Sequence, residues 1–284
     1  MPENALRPAL YVVATPIGNL GDITLRALEV LRAVDLIAAE DTRVAARLLA
    51  HFAFNKPLLA VHQHNERRAC SRVLETLQSG RSVALTTDAG TPTVSDPGAV
   101  LVEHVRSAGF DGIAIPGPSA LAAAWSVSGF PGTGFLFHGF LPARANERRR
   151  VLATLEKIPY ALIFYEAPHR VLDTLRALRD ALGAERTVVV ARELTKFFET
   201  VHTSKLGAIE PWLIEDPNRQ RGEFVLIVSG AVNAGAPQAE AAEATLRVLM
   251  GELPPAQAAR LASRLSGVPR AALYDMAVTL RGEQ

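Results

Sequence analysis

Short apolar runs alternate with helical stretches through the first 130 residues of the chain. LYVVA (10–14), DLIAAE (35–40) and SVALTT (82–87) are rich in apolar residues, and stretches with helical spacing separate them. Alternating strands and helices favour a parallel sheet with helices on both faces. We therefore expect an N-terminal α/β domain over residues 8–130.

The character of the sequence changes at GFPGTGFLFHGF, residues 129–140. From there to GEFVLIVSG, strands outnumber helices, which predicts a mixed α+β sheet domain over 131–231. The last part, 238–284, predicts helices separated by a turn at Gly267, a helix-turn-helix-like tail.

Charge and composition leave nucleic acid open as a partner. The 30 Lys and Arg residues against 29 Asp and Glu give a net charge of +1, so only a local basic patch favours nucleic acid. A single cysteine, Cys70, excludes an internal disulfide framework and a Cys-based zinc cluster, and we expect no metal. No uninterrupted apolar segment reaches the roughly 20 residues that a membrane helix needs. We therefore expect a cytoplasmic protein without a membrane partner.

Three loops that follow predicted strands are rich in Gly, Pro and hydroxyl residues: 14–22, 86–98 and 116–120. Ligands of α/β sheets bind beyond the carboxyl ends of the strands, so these loops predict a site. The glycine-rich signatures of NAD and ATP sites are absent, and the loops contain no Lys or Arg. Hydroxyls with one carboxylate, Asp88 or Asp96, suit a neutral or cationic ligand. S-adenosylmethionine, a sulfonium without phosphate, fits; simple tight turns are the alternative.

Seven ordered blocks resemble the tetrapyrrole-methylase superfamily, and more closely its ribosomal branch, the 16S rRNA (cytidine-2′-O)-methyltransferases. The blocks are VVATPIGNLGDITLRALEVL, AAEDTR, TDAGTPTVSDPG, IPGPSA, FYEAPHR, ARELTKFFE and GEFVLIV. They cover about residues 8–230, and the helical tail is similar to that branch's C-terminal extension. Many members of the superfamily carry Gly-Asp-Pro where this chain has Gly90-Thr91-Pro92, which counts against the tetrapyrrole branch.

The resemblance implies a two-domain tetrapyrrole-methylase-like fold that holds folded S-adenosylmethionine in the cleft between its domains. It also implies a 16S rRNA substrate within the small ribosomal subunit, and a homodimer. The family's motifs place eight cofactor-binding candidates in this chain: Gly90, Thr91, Pro92, Val94, Ser119, Ala120, Leu162 and Tyr165. Two residues of the strand-end loops, Pro16 and Asp88, are added to them. The strand 223–228 is expected to close the cleft.

Three charged motifs lie at the ends of predicted strands. A ribose hydroxyl is a poor nucleophile, so a general base or a polarising cation would assist methyl transfer. The catalytic candidates are Glu40, Asp41, Arg43, Glu166, Glu193 and Lys196. A surface ion-pair network is the alternative for each of them. Methylation of a base through a covalent adduct can need two cysteines, one to form the adduct and one to resolve it, and this chain has one. We therefore expect the acceptor to be the ribose 2′-OH, which DNA lacks.

The basic segment RANERRR, residues 144–150, follows the aromatic strand where a substrate groove is expected. Lys and Arg contacts to phosphate supply affinity without reading sequence. The substrate-binding candidates are Arg144, Arg148, Arg149, Arg150, His169 and Arg170. A solvated helix face is the alternative for the arginines. For the whole chain, the alternatives are methylation of a tetrapyrrole or another small molecule, and a non-catalytic RNA-binding protein.

Overall fold

The described part of the chain forms two five-stranded sheets with their accompanying helices, followed by a final group of three helices. The computed structural model describes residues 6–62, 65–131, 134–231 and 235–282. A parallel sheet, a mixed sheet and C-terminal helices confirm the predicted fold class. The predicted domain boundaries at 8–130, 131–231 and 238–284 stay predictions.

The first sheet is entirely parallel, in the order β3-β2-β4-β1-β5. Its strands are β1 (Leu10–Val13), β2 (Leu36–Ala39), β3 (Leu58–Ala60), β4 (Val83–Thr86) and β5 (Gly112–Ile115). The helices that connect and follow them are α1 (Leu25–Ala33), α2 (Thr42–His51), α3 (Glu66–Gln78), α4 (Ala99–Ser107) and α5 (Ala120–Val127).

The connecting helices cover opposite faces of this sheet. Leu31 of α1 and Leu49 of α2 pack into one buried cluster, whereas Val73 of α3 and Leu101 of α4 pack into another. The chain therefore leaves neighbouring strands β1 and β4 towards opposite faces. Such a divergence opens a crevice at the carboxyl ends of the strands, where ligands bind in α/β sheets.

The second sheet is mixed, in the order β6-β7-β10-β8-β9, and only β6 and β7 pair in parallel. Its strands are β6 (Phe135–Phe140), β7 (Ala161–Glu166), β8 (Thr187–Arg192), β9 (Thr200–Lys205) and β10 (Phe224–Val228). The accompanying helices are α6 (Ala145–Leu155), α7 (Val171–Leu182) and α8 (Ile209–Glu215).

Both faces of the second sheet are buried, one under its own helices and the other under α5. Along β7, Leu162 and Phe164 pack into the cluster with α6 and α7, whereas Ile163 and Tyr165 pack into the cluster that includes Ala124 of α5. Successive side chains of a strand point to opposite faces, so only alternate residues face the first sheet.

The tail consists of α9 (Gly235–Met250), α10 (Pro255–Ser266) and α11 (Arg270–Gly282). Gly267 ends α10 in the left-handed conformation, with φ of 73°, as glycine commonly does after a helix. The three helices share a buried cluster that includes Leu246, Ala259 and Leu273. None of the described helices combines the length and apolarity needed to cross a membrane.

Candidate active site

A cleft of about 400 Å³ lies between the strand ends of the first sheet and the α5-facing side of the second sheet. The loops after β1, β2, β4 and β5 all contribute to one wall. The other wall comes from β6, β7, β10 and the turn after β8. The central lining residues are Ile17, Glu40, Asp88, Gly90, Thr91, Val94, Asp96, Ser119, Ala120, Phe140, Tyr165, Leu194, Glu223 and Val225.

The loop after β4 binds its neighbours through backbone hydrogen bonds. The Gly90 N–H donates to the Thr15 carbonyl at 3.0 Å, and the Thr15 N–H donates back to Gly90 at 2.9 Å. Gly90 has φ of 90°, a conformation that favours glycine. The Thr91 hydroxyl donates to the Pro118 carbonyl at 3.1 Å, which ties in the loop after β5. The turn residues of 86–98 therefore hold three loops together as one wall of the cleft.

Several carboxylates converge on this wall. Glu40 Oε2 accepts hydrogen bonds from Thr87 Oγ1 at 2.6 Å and from the Asp88 N–H at 3.3 Å. Burial raises the pKa of Asp96 to about 6, and the charges of Glu40 and Asp88 add to this effect. Burial likewise raises the pKa of Asp88. Among the described residues that line the cleft, none is a lysine or an arginine, so the cleft favours a cation over an anion.

Aromatic side chains form the floor of the cleft. The Tyr165 hydroxyl accepts a hydrogen bond from the Leu121 N–H at 3.1 Å, close to the start of α5. Its ring contacts Phe137 and Phe140 edge to face, at centroid distances of 4.9 and 5.7 Å. Burial raises the pKa of Tyr165, so the phenol is neutral. The cleft thus combines an apolar floor with polar walls, as small-molecule sites do.

A second charged group lies beside the cleft, in the turn after β8. Lys196 Nζ donates to Glu193 Oε1 at 2.8 Å and to Glu223 Oε2 at 2.7 Å. Burial lowers the pKa of Lys196, but the hydrogen bonds to the two carboxylates outweigh it and the pKa is raised. Lys196 therefore carries a positive charge, and its aliphatic stem packs over Gly18 in the loop after β1. Lys196 thereby connects the two sheets.

The structure corrects the prediction for Leu162 of β7 and shows where the neighbouring Glu166 carboxylate binds. Leu162 is buried against α6 and α7, on the sheet face opposite the cleft, so it does not contact a ligand there. Glu166 is among the residues that line the cleft, but 0% of its side chain is exposed. It accepts hydrogen bonds from Thr174 Oγ1 at 2.6 Å and from the Ala167 N–H at 2.8 Å. The Glu166 carboxylate therefore joins β7 to α7, and its role as a base stays a prediction.

Two predicted substrate-binding arginines are likewise structural. Arg148 is buried and donates to the carbonyls of Pro142 and Ala143 at the start of α6. Arg170 donates to the Leu141 carbonyl and lies 3.2 Å from the Glu166 carboxylate. Both guanidinium groups are thus engaged with the fold, and contact of either with phosphate stays a prediction.

The other predicted substrate residues are exposed. Arg144 lies 3.2 Å from Glu147, and Arg149 donates to Asn146 Oδ1 at 2.6 Å. Arg150 and His169 are also exposed. The basic segment, which follows the cleft residue Phe140 in the chain, therefore exposes three arginines to solvent instead of the predicted four.

The remaining predicted residues divide between the cleft and its surroundings. Asp41 caps the N-terminus of α2 and pairs with Arg43 at 2.6 Å, beside the cleft rather than on its wall. Pro16 and Pro92 are buried within their loops. The predicted cofactor residues found on the wall are Asp88, Gly90, Thr91, Val94, Ser119, Ala120 and Tyr165. Their contact with a cofactor stays a prediction.

Sequence reasoning missed the carboxylate of Glu223 as a candidate catalytic group. It lines the cleft, is 72% exposed and accepts the hydrogen bond from Lys196. The sequence feature that could have indicated Glu223 is its position between Gly222 and the apolar strand β10. The described residues contain no group of three or more His, Cys, Asp or Glu side chains placed to hold a metal ion.

Comparison with known proteins places this architecture in a family. A model of the tetrapyrrole (corrin/porphyrin) methylases matches residues 9–210. The chain therefore belongs to the tetrapyrrole methylase family, the class of protein that its two sheets and their cleft define. A model of the RsmI C-terminal HTH domain matches residues 236–281, which cover the three helices of the tail.

Relatives named Ribosomal RNA small subunit methyltransferase I match nearly the whole length of this chain. The relative from Xylella fastidiosa is 49% identical over 265 residues, which cover 93% of this chain and 97% of the relative. The relative from Escherichia coli O157:H7 is 49% identical over 273 residues, 96% of each chain. The predicted resemblance to the ribosomal branch is thereby confirmed.

Solved structures of lower identity share the fold. The methyltransferase CobJ superposes with a TM-score of 0.59 at 20% identity, over 78% of this chain and 94% of that one. Uroporphyrin-III C-methyl transferase from Thermus thermophilus, complexed with S-adenyl homocysteine, gives a TM-score of 0.57 at 16% identity, over 78% and 97%.

Proposed function

We propose that this protein transfers the methyl group of S-adenosylmethionine to the ribose 2′-OH of a cytidine in the decoding region of 16S rRNA. Identity of 49% along nearly the whole length of relatives named for small-subunit rRNA methylation supports the substrate. The same proposal includes that the enzyme is cytoplasmic, forms a homodimer and acts on the small ribosomal subunit.

The observation that carries the proposal is the polarity of the cleft. Its described lining combines the carboxylates Glu40, Asp88 and Asp96 with hydroxyl groups, and contains no Lys or Arg. A phosphate-bearing ligand would meet repulsion there, whereas a sulfonium would meet opposite charge. The residues present therefore fit S-adenosylmethionine, with the loop after β4 and Ser119 as the groups that would hold it.

S-adenosylmethionine supplies an electrophilic methyl group on a cationic sulfur, and the protein must place the acceptor hydroxyl in line with it. The two walls, from different sheets, can bring cofactor and acceptor together and exclude water. Glu223 is exposed at the cleft and can accept the proton of the acceptor hydroxyl. Lys196 fixes that carboxylate through its 2.7 Å hydrogen bond. The tail and the basic segment would bind the rest of the RNA.

We expect the affinity for S-adenosylmethionine to fall as the pH is lowered through about 6. Burial first, and the charge of Glu40 second, raise the pKa of Asp96 to about 6. Below that pH the carboxylate is neutral and no longer attracts a sulfonium. Calorimetric titrations from about pH 8 to about pH 5 measure this change in affinity. The bound cation should also lower the pKa of Asp96, so protons should be released on binding. Asp96→Asn should bind more weakly with a flatter pH profile; an unchanged profile would remove Asp96 from the site.

We expect the exposed arginines of the basic segment to bind RNA and not the cofactor. The triple variant Arg144→Ala, Arg149→Ala, Arg150→Ala should weaken RNA binding and reduce the slope of log affinity against log salt by about two units. Its affinity for S-adenosylmethionine should be unchanged. A matched control replaces three exposed arginines on the outer helices: Arg26, Arg47 and Arg106. Equal salt slopes for the wild type and the triple variant would show that these arginines are only a solvated surface.

The proposed function is tested by methyl transfer from isotope-labelled S-adenosylmethionine to small ribosomal subunits that lack this modification. Nuclease digestion and mass spectrometry should then locate the label on the ribose of a cytidine. Label on a base, or transfer only to a small molecule such as a tetrapyrrole, would contradict the proposal.

A further inference from the structure

Two adjacent phenylalanines are held in solvent beside the cleft. Phe197 is 93% exposed and Phe198 is 65% exposed. Their rings meet edge to face with a centroid distance of 5.0 Å, so each can present a face outward. Phe197 is the most exposed of the large apolar side chains in the part of the chain that the structure describes. A contiguous exposed aromatic surface of this kind is typical of an interaction site.

The turn that carries these rings is firmly held. Glu193 and Thr195 have positive φ values of 52° and 64°, a strained conformation for residues with a side chain. Arg192 Nη2 donates to the Phe198 carbonyl at 3.0 Å, and the Lys196 N–H donates to the Glu193 carbonyl at 3.0 Å. The exposure of the rings is therefore built into a fixed backbone and does not reflect a loosely attached loop.

The same turn forms part of the cleft. Leu194 lines the cleft, and Lys196 bonds to the cleft residue Glu223 while its stem packs over Gly18. Phe197 and Phe198 follow directly in the chain. They thus lie at the rim, on the side where Lys196 and Glu223 would receive the acceptor.

A segment that carries an exposed cation packs against the turn of the aromatic pair. Arg192 Nη1 donates to the carbonyls of both Asn218 and Arg221, each at 3.2 Å, which places the segment 218–221 against the turn. Arg221 is exposed in that segment. An aromatic face with an adjacent cation matches a nucleotide, whose base stacks while its phosphate pairs with the charge.

We infer that Phe197 and Phe198 form a stacking platform for an unpaired base of the RNA next to the acceptor nucleotide. The inference rests on the proposed function. A ribose that enters a cleft beside a small cofactor must leave its helical stack, and the neighbouring bases lose a stacking partner. The rings replace that partner at the rim and so hold the acceptor ribose towards Glu223.

The double variant Phe197→Ser, Phe198→Ser tests the platform. We expect its affinity for an unmodified decoding-region RNA fragment to fall about tenfold or more, as for the loss of a base stacked on an aromatic ring. The affinity for S-adenosylmethionine, measured by calorimetry, and the sedimentation coefficient should be unchanged. Phe197→Trp with Phe198→Tyr should keep RNA affinity near the wild-type value. Leu25→Ser, which removes another exposed apolar side chain, is the control.

Three results would overturn the inference. They are unchanged RNA affinity in the double serine variant, an equal loss in Leu25→Ser, and dissociation of a dimer, which would assign the rings to an interface between copies of the chain. Failure of the proposed function looks different, since the wild-type protein itself would then not methylate the RNA.

Discussion

Thr91→Arg should abolish measurable binding of S-adenosylmethionine while the chain remains folded. Thr91 lines the cleft, and its hydroxyl donates to the Pro118 carbonyl at 3.1 Å. An arginine there adds bulk to the cleft and places a positive charge beside the expected sulfonium. Like charges in a partly buried site repel strongly, so we expect affinity to fall by at least about a hundredfold in calorimetry.

Thr93→Arg is the matched control for this substitution. Thr93 belongs to the same loop and is exposed rather than part of the cleft wall. We expect it to bind the cofactor like the wild type, and circular dichroism with thermal melting should show that both variants are folded. Tight binding by folded Thr91→Arg would remove the loop after β4 from the cofactor site.

Lys196→Ala should slow methyl transfer much more than it weakens binding. The ammonium group lies between Glu193 and Glu223 and holds the exposed carboxylate of Glu223 at the cleft. Without it, the carboxylate loses its fixed orientation and the nearby positive charge. Removal of one preorganised electrostatic group costs about a hundredfold or more in rate, and we expect that loss in single-turnover assays.

The dissociation constants of Lys196→Ala for cofactor and RNA should change little. Lys157, which is exposed in the turn that follows α6, provides the control, and Lys157→Ala should react at the wild-type rate. A wild-type single-turnover rate in Lys196→Ala would show that the ion-pair group beside the cleft serves only to join the two sheets.

The first sheet and its loops could be predicted because their signals are local. Each strand of that sheet is a short apolar run, and each loop that follows carries its own turn residues. The carboxyl ends of parallel strands share one edge, so the loops after β1, β4 and β5 had to meet once the sheet was parallel. Gly90, Thr91 and Ser119 accordingly lie on one wall of the cleft.

The error at Leu162 arose because β7 is buried on both faces. FYEAPHR shows no alternation of polar and apolar residues that would reveal which side chains face the cleft. Tyr165 faces the cleft, whereas Leu162 and the carboxylate of Glu166 face α7. The packing of the helices decides which side chains of the strand face which way. Sequence alone contains no comparable information for a strand of this kind.

Arg148 and Glu223 show a different limit. Four arginines in RANERRR look equivalent as charges, yet the path of the chain into α6 leaves two carbonyls that Arg148 satisfies. Glu223 and Lys196 are 27 residues apart in the chain, and only the pairing of β8 with β10 brings them together. Such contacts depend on strand order, which local patterns do not specify.

Removing only the acceptor oxygen tests methyl transfer to the ribose 2′-OH directly. A decoding-region RNA fragment is prepared with either cytidine or 2′-deoxycytidine at the position that receives the methyl group, and both are incubated with the wild-type protein and labelled S-adenosylmethionine. We expect label on the ribose of the cytidine substrate and none above background on the deoxycytidine substrate, although both RNAs bind. Equal methylation of the two substrates would contradict this expectation, because the methyl group would then be attached somewhere other than the 2′-OH.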